Sequence, residues 1–167
     1  IKKPFSHSVP FFNFAHTLEF WNKDGELIKV LADLPAAEEV PLNGVPTGPR
    51  SPEWQSLRPA TLVWVEALDG GDPEKEAPSR DKLLALAAPF TSEPQEVQKM
   101  QHRYAGVEWM AAPGTVLVSE YDWKRRWQTT TLVNIENGQA APRKIFDLNT
   151  QDDYADPGSV VMTTTLS

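Results

Sequence analysis

The sequence predicts an all-β fold, and three observations lead there. Proline and glycine occur 15 and 9 times in 167 residues, leaving few uninterrupted runs of ten, and each internal proline would cost a helix about 3 kcal/mol. The apolar runs are rich in β-branched and aromatic residues and are bounded by turn formers. A unit of apolar strand, tight turn and second strand recurs along the chain, which marks a repeat architecture.

The first hairpin runs from Thr17 to Trp21, turns at Lys23-Asp24-Gly25 and returns from Glu26 to Leu34. A Trp-bearing segment, Arg50 to Trp54, precedes the strand Ala60 to Val65, whose apolar run continues to Glu66. The turn Asp69-Gly70-Gly71-Asp72-Pro73 leads to a second hairpin, Lys82 to Phe90 with Pro94 to Met100. Leu83, Leu84 and Leu86 could also form one face of a helix over Arg80 to Ala88, but a buried strand fits their spacing and is the expectation. The pattern then repeats. Gly106 to Trp109 is followed by a turn at Ala112-Pro113-Gly114 and a strand from Thr115 to Ser119. The third hairpin pairs Thr129 to Ile135 with Ala141 to Leu148 across Glu136-Asn137-Gly138, and Ser159 to Thr165 reads as one more strand.

Four strands per unit, at a spacing of about 50 to 65 residues, is the pattern of propeller blades. The expected fold is a partial β-propeller of about three four-stranded antiparallel blades. Its blades would be 1–40, 45–101 and 103–150, with 156–167 beginning the next. A β-sandwich also uses short, regularly spaced strands and stays open as an alternative. Closed rings hold roughly four to eight blades, so three units would be part of a ring.

Composition excludes several classes of function. Without cysteine there is no disulfide framework, thiolate nucleophile or Cys-ligated metal. The net formal charge is −7 and the densest basic spot is Lys124-Arg125-Arg126, so no nucleic-acid or membrane-surface partner is expected. The longest apolar run, Leu83 to Phe90, falls far short of the roughly 18 to 20 residues that span a bilayer. His7, His16 and His102 form neither an i, i+4 pair nor a His-Glu-x-x-His pattern, so no metal or other cofactor is expected. Pro10 and Asn13 break any signal-peptide-like hydrophobic region after Lys2-Lys3, and both ends read as cuts in a longer chain.

Particular residues carry a resemblance. Val45-Pro46-Thr47-Gly48-Pro49-Arg50-Ser51-Pro52-Glu53-Trp54 is followed by Ala60 through Pro73, where Ala67-Leu68-Asp69-Gly70-Gly71-Asp72-Pro73 is the most distinctive stretch, and by Arg80-Asp81 and Leu86-Ala87-Ala88-Pro89-Phe90. With Lys3 to Pro10 around His7, Phe20-Trp21, Ala32-Asp33-Leu34-Pro35 and Asp153 to Ser159, the chain resembles the N-terminal propeller of glutamyl endopeptidase-like serine peptidases of the prolyl oligopeptidase family. The resemblance implies a β-propeller that caps a separate α/β-hydrolase domain and admits peptide-sized substrates. The implied partners are a peptide substrate and that hydrolase domain, and the implied location is periplasmic or secreted. One departure is decisive: the Gly-x-Ser-x-Gly elbow is absent, since Gly158-Ser159 runs on into Val160-Val161. No Ser, His and carboxylate triad can be assigned, so this chain should not itself hydrolyse peptides. A severed ring would leave apolar faces uncovered and should self-associate.

The candidate site residues are Arg50, Arg80, Glu66, Asp69, Asp72, Trp123 and Arg125, facing either substrate or a neighbouring domain. Arg50 or Arg80 could offer a bidentate fork to a glutamate carboxylate, or could pair with Asp69 or Asp81 to hold a unit together. Asp69 and Asp72, with Glu74 and Glu76, offer the carboxylate oxygens that calcium takes, but their spacing favours a turn held by Asx hydrogen bonds. Trp123 and Trp127 flank Lys124-Arg125-Arg126, which reads either as a contact surface or as a solvated hairpin. Trp54 and Trp109 occupy equivalent places and are expected to pack between units. Two rivals to the peptidase reading are a protein-binding propeller scaffold and a carbohydrate-active propeller using a pair such as Glu66 with Asp69.

Overall fold

A computed structural model describes residues 1–2, 9–58, 60–136, 140–158 and 160–163. A short 3-10 turn at Phe11–Asn13 precedes ten strands, and the described residues contain no α-helix. The strands are β1 (His16–Trp21), β2 (Leu27–Leu34), β3 (Arg50–Trp54), β4 (Thr61–Ala67), β5 (Asp81–Ala87), β6 (Gln95–Met100), β7 (Arg103–Trp109), β8 (Thr115–Asp122), β9 (Trp127–Asn134) and β10 (Arg143–Asn149). They form three separate antiparallel sheets. The first is β1-β2, the second is the meander β3-β4-β5-β6 and the third is the meander β7-β8-β9-β10.

Alternation along β4 and β5 explains how the sheets stack. Side chains on a strand point to opposite faces in turn. Val63, Val65, Leu83 and Ala85 face one way and join Met100 with Val116, Val118, Val133 and Ile135 of the third sheet's region in one buried cluster. Leu62, Trp64, Leu84 and Leu86 face the other way and meet Phe20 of β1, with Phe90 beside them and Leu31 of β2 packed on the margin. The second sheet is therefore buried on both faces, which is why its two central strands read as unbroken apolar runs. The Arg80 to Ala88 ambiguity resolves into strand β5 for this reason: a helix would not send alternate residues to opposite layers.

Two expectations need correction. The unit 1–40 contributes two strands among the described residues, not four. The chain after β2 carries Pro35, Pro41, Pro46 and Pro49, which cannot donate to a ladder, so it crosses to β3 as an irregular strap. Residues 160–163 carry no strand, so the run expected from Ser159 to Thr165 forms no ladder where it is described. Ser159, Thr164 and Thr165 lie outside the described residues, as do His7 and the turn residues Asn137 and Gly138.

The two repeated tryptophans end the first strand of their meanders and reach back to the preceding sheet. Trp54, at the end of β3, meets Phe20 and Phe90 edge-on at centroid distances of 5.9 and 6.2 Å. Trp109, at the end of β7, donates its indole N–H to Glu53 of β3 at 2.8 Å. Both bridge neighbouring sheets, although Trp54 stays 53% exposed and is no core residue.

Candidate functional site

Strand direction gathers the chemistry at one end of the stack. In a meander every second connection lies at the same end, so the loop between β4 and β5, the β6–β7 link and the β8–β9 turn are neighbours. Arg50, Asp81 and Arg103 open β3, β5 and β7 at this end, and Glu66 lies just before the end of β4. All seven candidate residues fall here.

At the centre is an ion cluster linking the second and third sheets. Arg80 Nη1 donates to Asp69 Oδ2 at 2.8 Å, and Arg103 Nη2 donates to the same oxygen at 2.6 Å. Arg103 Nη1 also donates to Asp81 Oδ1 at 3.0 Å and to the Arg80 carbonyl at 3.2 Å. Asp81 Oδ2 accepts the Tyr104 amide at 2.7 Å and lies 2.5 Å from Arg50 Nη2. That last contact is an ion pair, and the Nε of Arg50 makes no hydrogen bond to any described residue. Both carboxylates are fully shielded, while the arginines keep 14–25% of their side chains exposed. Three guanidiniums face two carboxylates, leaving one positive charge in excess.

The surroundings set the protonation of these groups. Burial pushes the Asp69 carboxyl up, but hydrogen bonds from Arg80, Arg103 and the Gly71 amide outweigh it and hold the group below the usual carboxylate range. Burial raises the Tyr104 phenol to about 12, with Glu53 adding to the effect and Arg50 opposing it.

The loop between β4 and β5 is folded around Arg80. Asp69 Oδ1 accepts the Gly71 amide at 3.0 Å and Asp72 Oδ1 accepts the Glu74 amide at 2.9 Å, two Asx-type turns. The carbonyls of Asp72 and Lys75 lie 3.4 and 3.2 Å from Arg80 Nη1. Gly71 has a φ of +80° and its carbonyl accepts the Val45 amide at 3.0 Å, so the loop is tied to the proline-rich strap. No cluster of potential metal ligands occurs among the described residues.

The remaining candidates divide into two groups. Glu66 binds Lys82 at 3.1 Å and accepts the Trp64 indole N–H at 3.0 Å, whereas Asp69 is closed off at 1% exposure by its own cations. The two carboxylates thus serve different partners instead of flanking a common substrate position. Trp123 and Arg125 lie on the β8–β9 turn. Arg125 Nε donates to Asp122 Oδ2 at 2.6 Å, its Nη2 lies 3.2 Å from His102 Nε2, and its guanidinium sits 5.7 Å from the Trp127 ring centroid. With Arg80, His102 and Arg103 they line a cleft of about 330 Å³ between the second and third sheets. Trp123 is 40% exposed there.

A larger cleft, about 620 Å³, lies on the other side of Arg50, between the first sheet, the proline-rich strap and β3. Its volume falls within the range of small-ligand sites, roughly 300 to 1,000 Å³.

Sequence reasoning missed Arg103, the residue that joins both carboxylates. The signal was available in the repeat: Arg50 opens the strand that ends in Trp54, and Arg103 opens the strand that ends in Trp109. Alignment of the two Trp segments from Gly106 onward stops short of that second arginine.

Comparison with known proteins follows the same lines. The chain is 38% identical over 166 residues to a protein of Oryza sativa subsp. japonica named "Probable glutamyl endopeptidase, chloroplastic". It is 36% identical over 166 residues to an Arabidopsis thaliana protein of the same name. Each likeness covers 97% of this chain but only 18% and 17% of the relatives' own length. No protein-family model matches the chain, and no solved structure matches it.

Proposed function

We propose that the chain is the non-catalytic propeller portion of a glutamyl endopeptidase-like serine peptidase of the prolyl oligopeptidase family. In this reading residues 1–40, 45–101 and 103–150 belong to successive blades, and the ring they help build admits and orients peptides over a separate α/β-hydrolase domain. The observation that carries it is the stacking of two four-stranded meanders face to face, with the second sheet buried on both sides, in the manner of neighbouring blades. The likeness to the two plant proteins along nearly the whole chain supports the peptidase assignment. The relatives' names place them in the chloroplast, and a periplasmic or secreted location is our proposal for this chain. Trp21, Ile28 and Val30 are half exposed on the first sheet and support self-association wherever no further sheet covers them.

The reading is tested on the product of the whole reading frame. The frame should continue into a Gly-x-Ser-x-Gly segment followed by Asp and His. That product should cleave short peptides after glutamate while leaving folded proteins of matching sequence intact. Cleavage of folded and unfolded substrates at equal rates would reject the gating role, and a frame without the serine motif would reject the peptidase.

A further inference from the structure

One histidine stands beside the ion cluster with a charged neighbour at each ring nitrogen. His102, in the link between β6 and β7, keeps 18% of its side chain exposed, and Asp122, at the end of β8, keeps 15%. The Nε2 of His102 lies 3.2 Å from Arg125 Nη2, and its Nδ1 lies 3.9 Å from Asp122 Oδ2. A guanidinium only donates, so the Arg125 contact requires a bare, accepting Nε2 and leaves the ring proton on Nδ1, toward Asp122. The geometry is therefore that of the neutral imidazole. Arg125 completes a triangle, since its Nε donates to Asp122 Oδ2 at 2.6 Å while its guanidinium sits 5.7 Å from the Trp127 ring centroid. Its side chain is 59% exposed, so solvent is open to it.

A proton on Nε2 is incompatible with this triangle. An imidazolium has no lone pair for Arg125, meets it as a like charge and competes with it for Asp122. Histidine is the side chain type that ordinarily changes charge between pH 5 and 8, and Asp122 stays ionised over that span. Burial pushes the Asp122 carboxyl up, but hydrogen bonds from the Arg125 side chain and amide, the charge of His102 and the Lys124 amide outweigh it and hold the group below the usual carboxylate range. The other charges around the ring have partners of their own. Arg80 and Arg103 serve Asp69 and Asp81, and Lys124 Nζ reaches Glu74 at 3.4 Å. Across on β10, Lys144 pairs with Asp147 at 2.6 Å, and on β8 Glu120 accepts the His102 main-chain amide at 3.3 Å. Asp122 and Arg125 are the groups that meet the ring itself.

We propose that His102 is a pH-sensitive latch for Arg125. Neutral, the ring accepts Arg125 Nη2 and holds that side chain over Trp127; protonated, it closes on Asp122 and turns Arg125 out to solvent. The β8–β9 turn itself stays in place, because the Arg126 carbonyl accepts both the amide and the hydroxyl of Thr150, at 2.8 and 3.1 Å. His102 and Arg125 line both the 330 Å³ cleft and a second one of about 370 Å³, so acid withdraws one cation from the walls of both. The inference goes beyond the peptidase reading and does not require it. It is read on this chain without substrate, and a reading frame lacking the serine motif leaves it intact.

The test follows the His102 ring nitrogens and the Arg125 Nε–Hε resonance in ¹H–¹⁵N spectra of the full chain, titrated from about pH 8 to about pH 5. At the upper end the ring should be the Nδ1–H tautomer. The Arg125 resonance should then shift with the same midpoint as the His102 ring, while the Tyr104 amide, bonded to Asp81, reports that the fold persists. His102→Gln supplies a carbonyl that accepts from Arg125 without titrating, and should abolish the Arg125 shift over this range. A ring protonated on Nε2 at the upper end would overturn the proposal. So would an Arg125 resonance that stays still while His102 titrates, that moves only below about pH 4 with a carboxylate, or that still moves in His102→Gln. The tautomer and the shared midpoint are read on the unaltered chain, so they decide the matter even where the variant does not fold.

Discussion

Replacing Arg103 by alanine should destabilise the fold by about 3 kcal/mol, the lower part of the range for removing one partner of a buried ion pair. Arg103 is only 15% exposed and gives Asp69 a hydrogen bond of 2.6 Å, Asp81 one of 3.0 Å and the Arg80 carbonyl one of 3.2 Å. The loss is not total, which places the cost at the lower end. Asp69 keeps Arg80 and the Gly71 amide, and Asp81 keeps the Tyr104 amide and its contact with Arg50. Urea denaturation followed by tryptophan fluorescence measures the difference. Arg103→Lys should recover part of it, since one ammonium cannot span both carboxylates as the planar fork does. The pH dependence adds a second check. The Asp69 carboxyl is depressed in the folded protein, so the stability it contributes is present above the unfolded value of about 3.8 and is lost as pH falls through the folded value. Arg103→Ala weakens that depression, so the gap between the two proteins should narrow below about pH 4. A cost below about 1 kcal/mol, the level of exposed pairs, with a gap independent of pH would refute the view that this cluster joins the sheets.

Leu83 is 1% exposed in the cluster between the second and third sheets, so Leu83→Ala should cost about 2 to 5 kcal/mol in the same denaturation assay. Gly71→Ala should destabilise by about 2 kcal/mol or more, measured by thermal unfolding, since φ is +80° and a Cβ would stand 2.0 Å from the Val45 carbonyl oxygen, with backbone on both sides. The Tyr104 phenol, raised to about 12, should keep its contribution to stability below the unfolded value near 10 and lose it as pH rises toward 12. Alkaline unfolding monitored by tyrosinate absorbance should therefore lose a late-titrating component in Tyr104→Phe.

The parts of the fold set by local chemistry were legible, and those set by layers were not. Asp24-Gly25 and Pro113-Gly114 are turns because glycine supplies φ values of +80° and +72° there, and both stand where the sequence puts them. The hairpins follow from those turns and from β-branched runs. The first unit was overread because the repeat invites four strands, whereas the prolines between β2 and β3 deny the ladder its donors. Trp54 reads as core by residue type, yet half its surface is exposed, because it sits at a strand end and contacts aromatic neighbours edge-on. At the candidate site the turn residues Asp69 and Asp72 and the Arg80 pairing were visible from residue type and proximity. Arg103 was not, since its partners Asp69 and Asp81 are separated from it by 34 and 22 positions and only the stacking of two sheets brings them together.

An ion cluster in so apolar a joint needs a reason, because buried ion pairs are weak contributors to net stability compared with well-packed hydrophobic residues. Register supplies one. The facing surfaces of the second and third sheets are built from valine, leucine, alanine, isoleucine and methionine, and burial of such surfaces is non-directional, so it fixes their separation better than their relative slide. Polar ties sit at both ends of the joint and resist that slide. At one end Arg103 bridges Asp69 and Asp81; at the other Arg58 meets Glu136 at 2.7 Å and the Trp109 indole meets Glu53. Because Arg50, Asp81 and Arg103 each occupy the first position of a strand, the cluster forms only in one setting of these strands, with Arg50 two positions in from Asp81 in the ladder. A shift of one residue would send every apolar side chain of the moving strand to its wrong face and would separate these charges in a dry site. The cluster thus gathers the arginines at one end of the stack, and Arg50, paired with Asp81, stands at the wall of the large cleft.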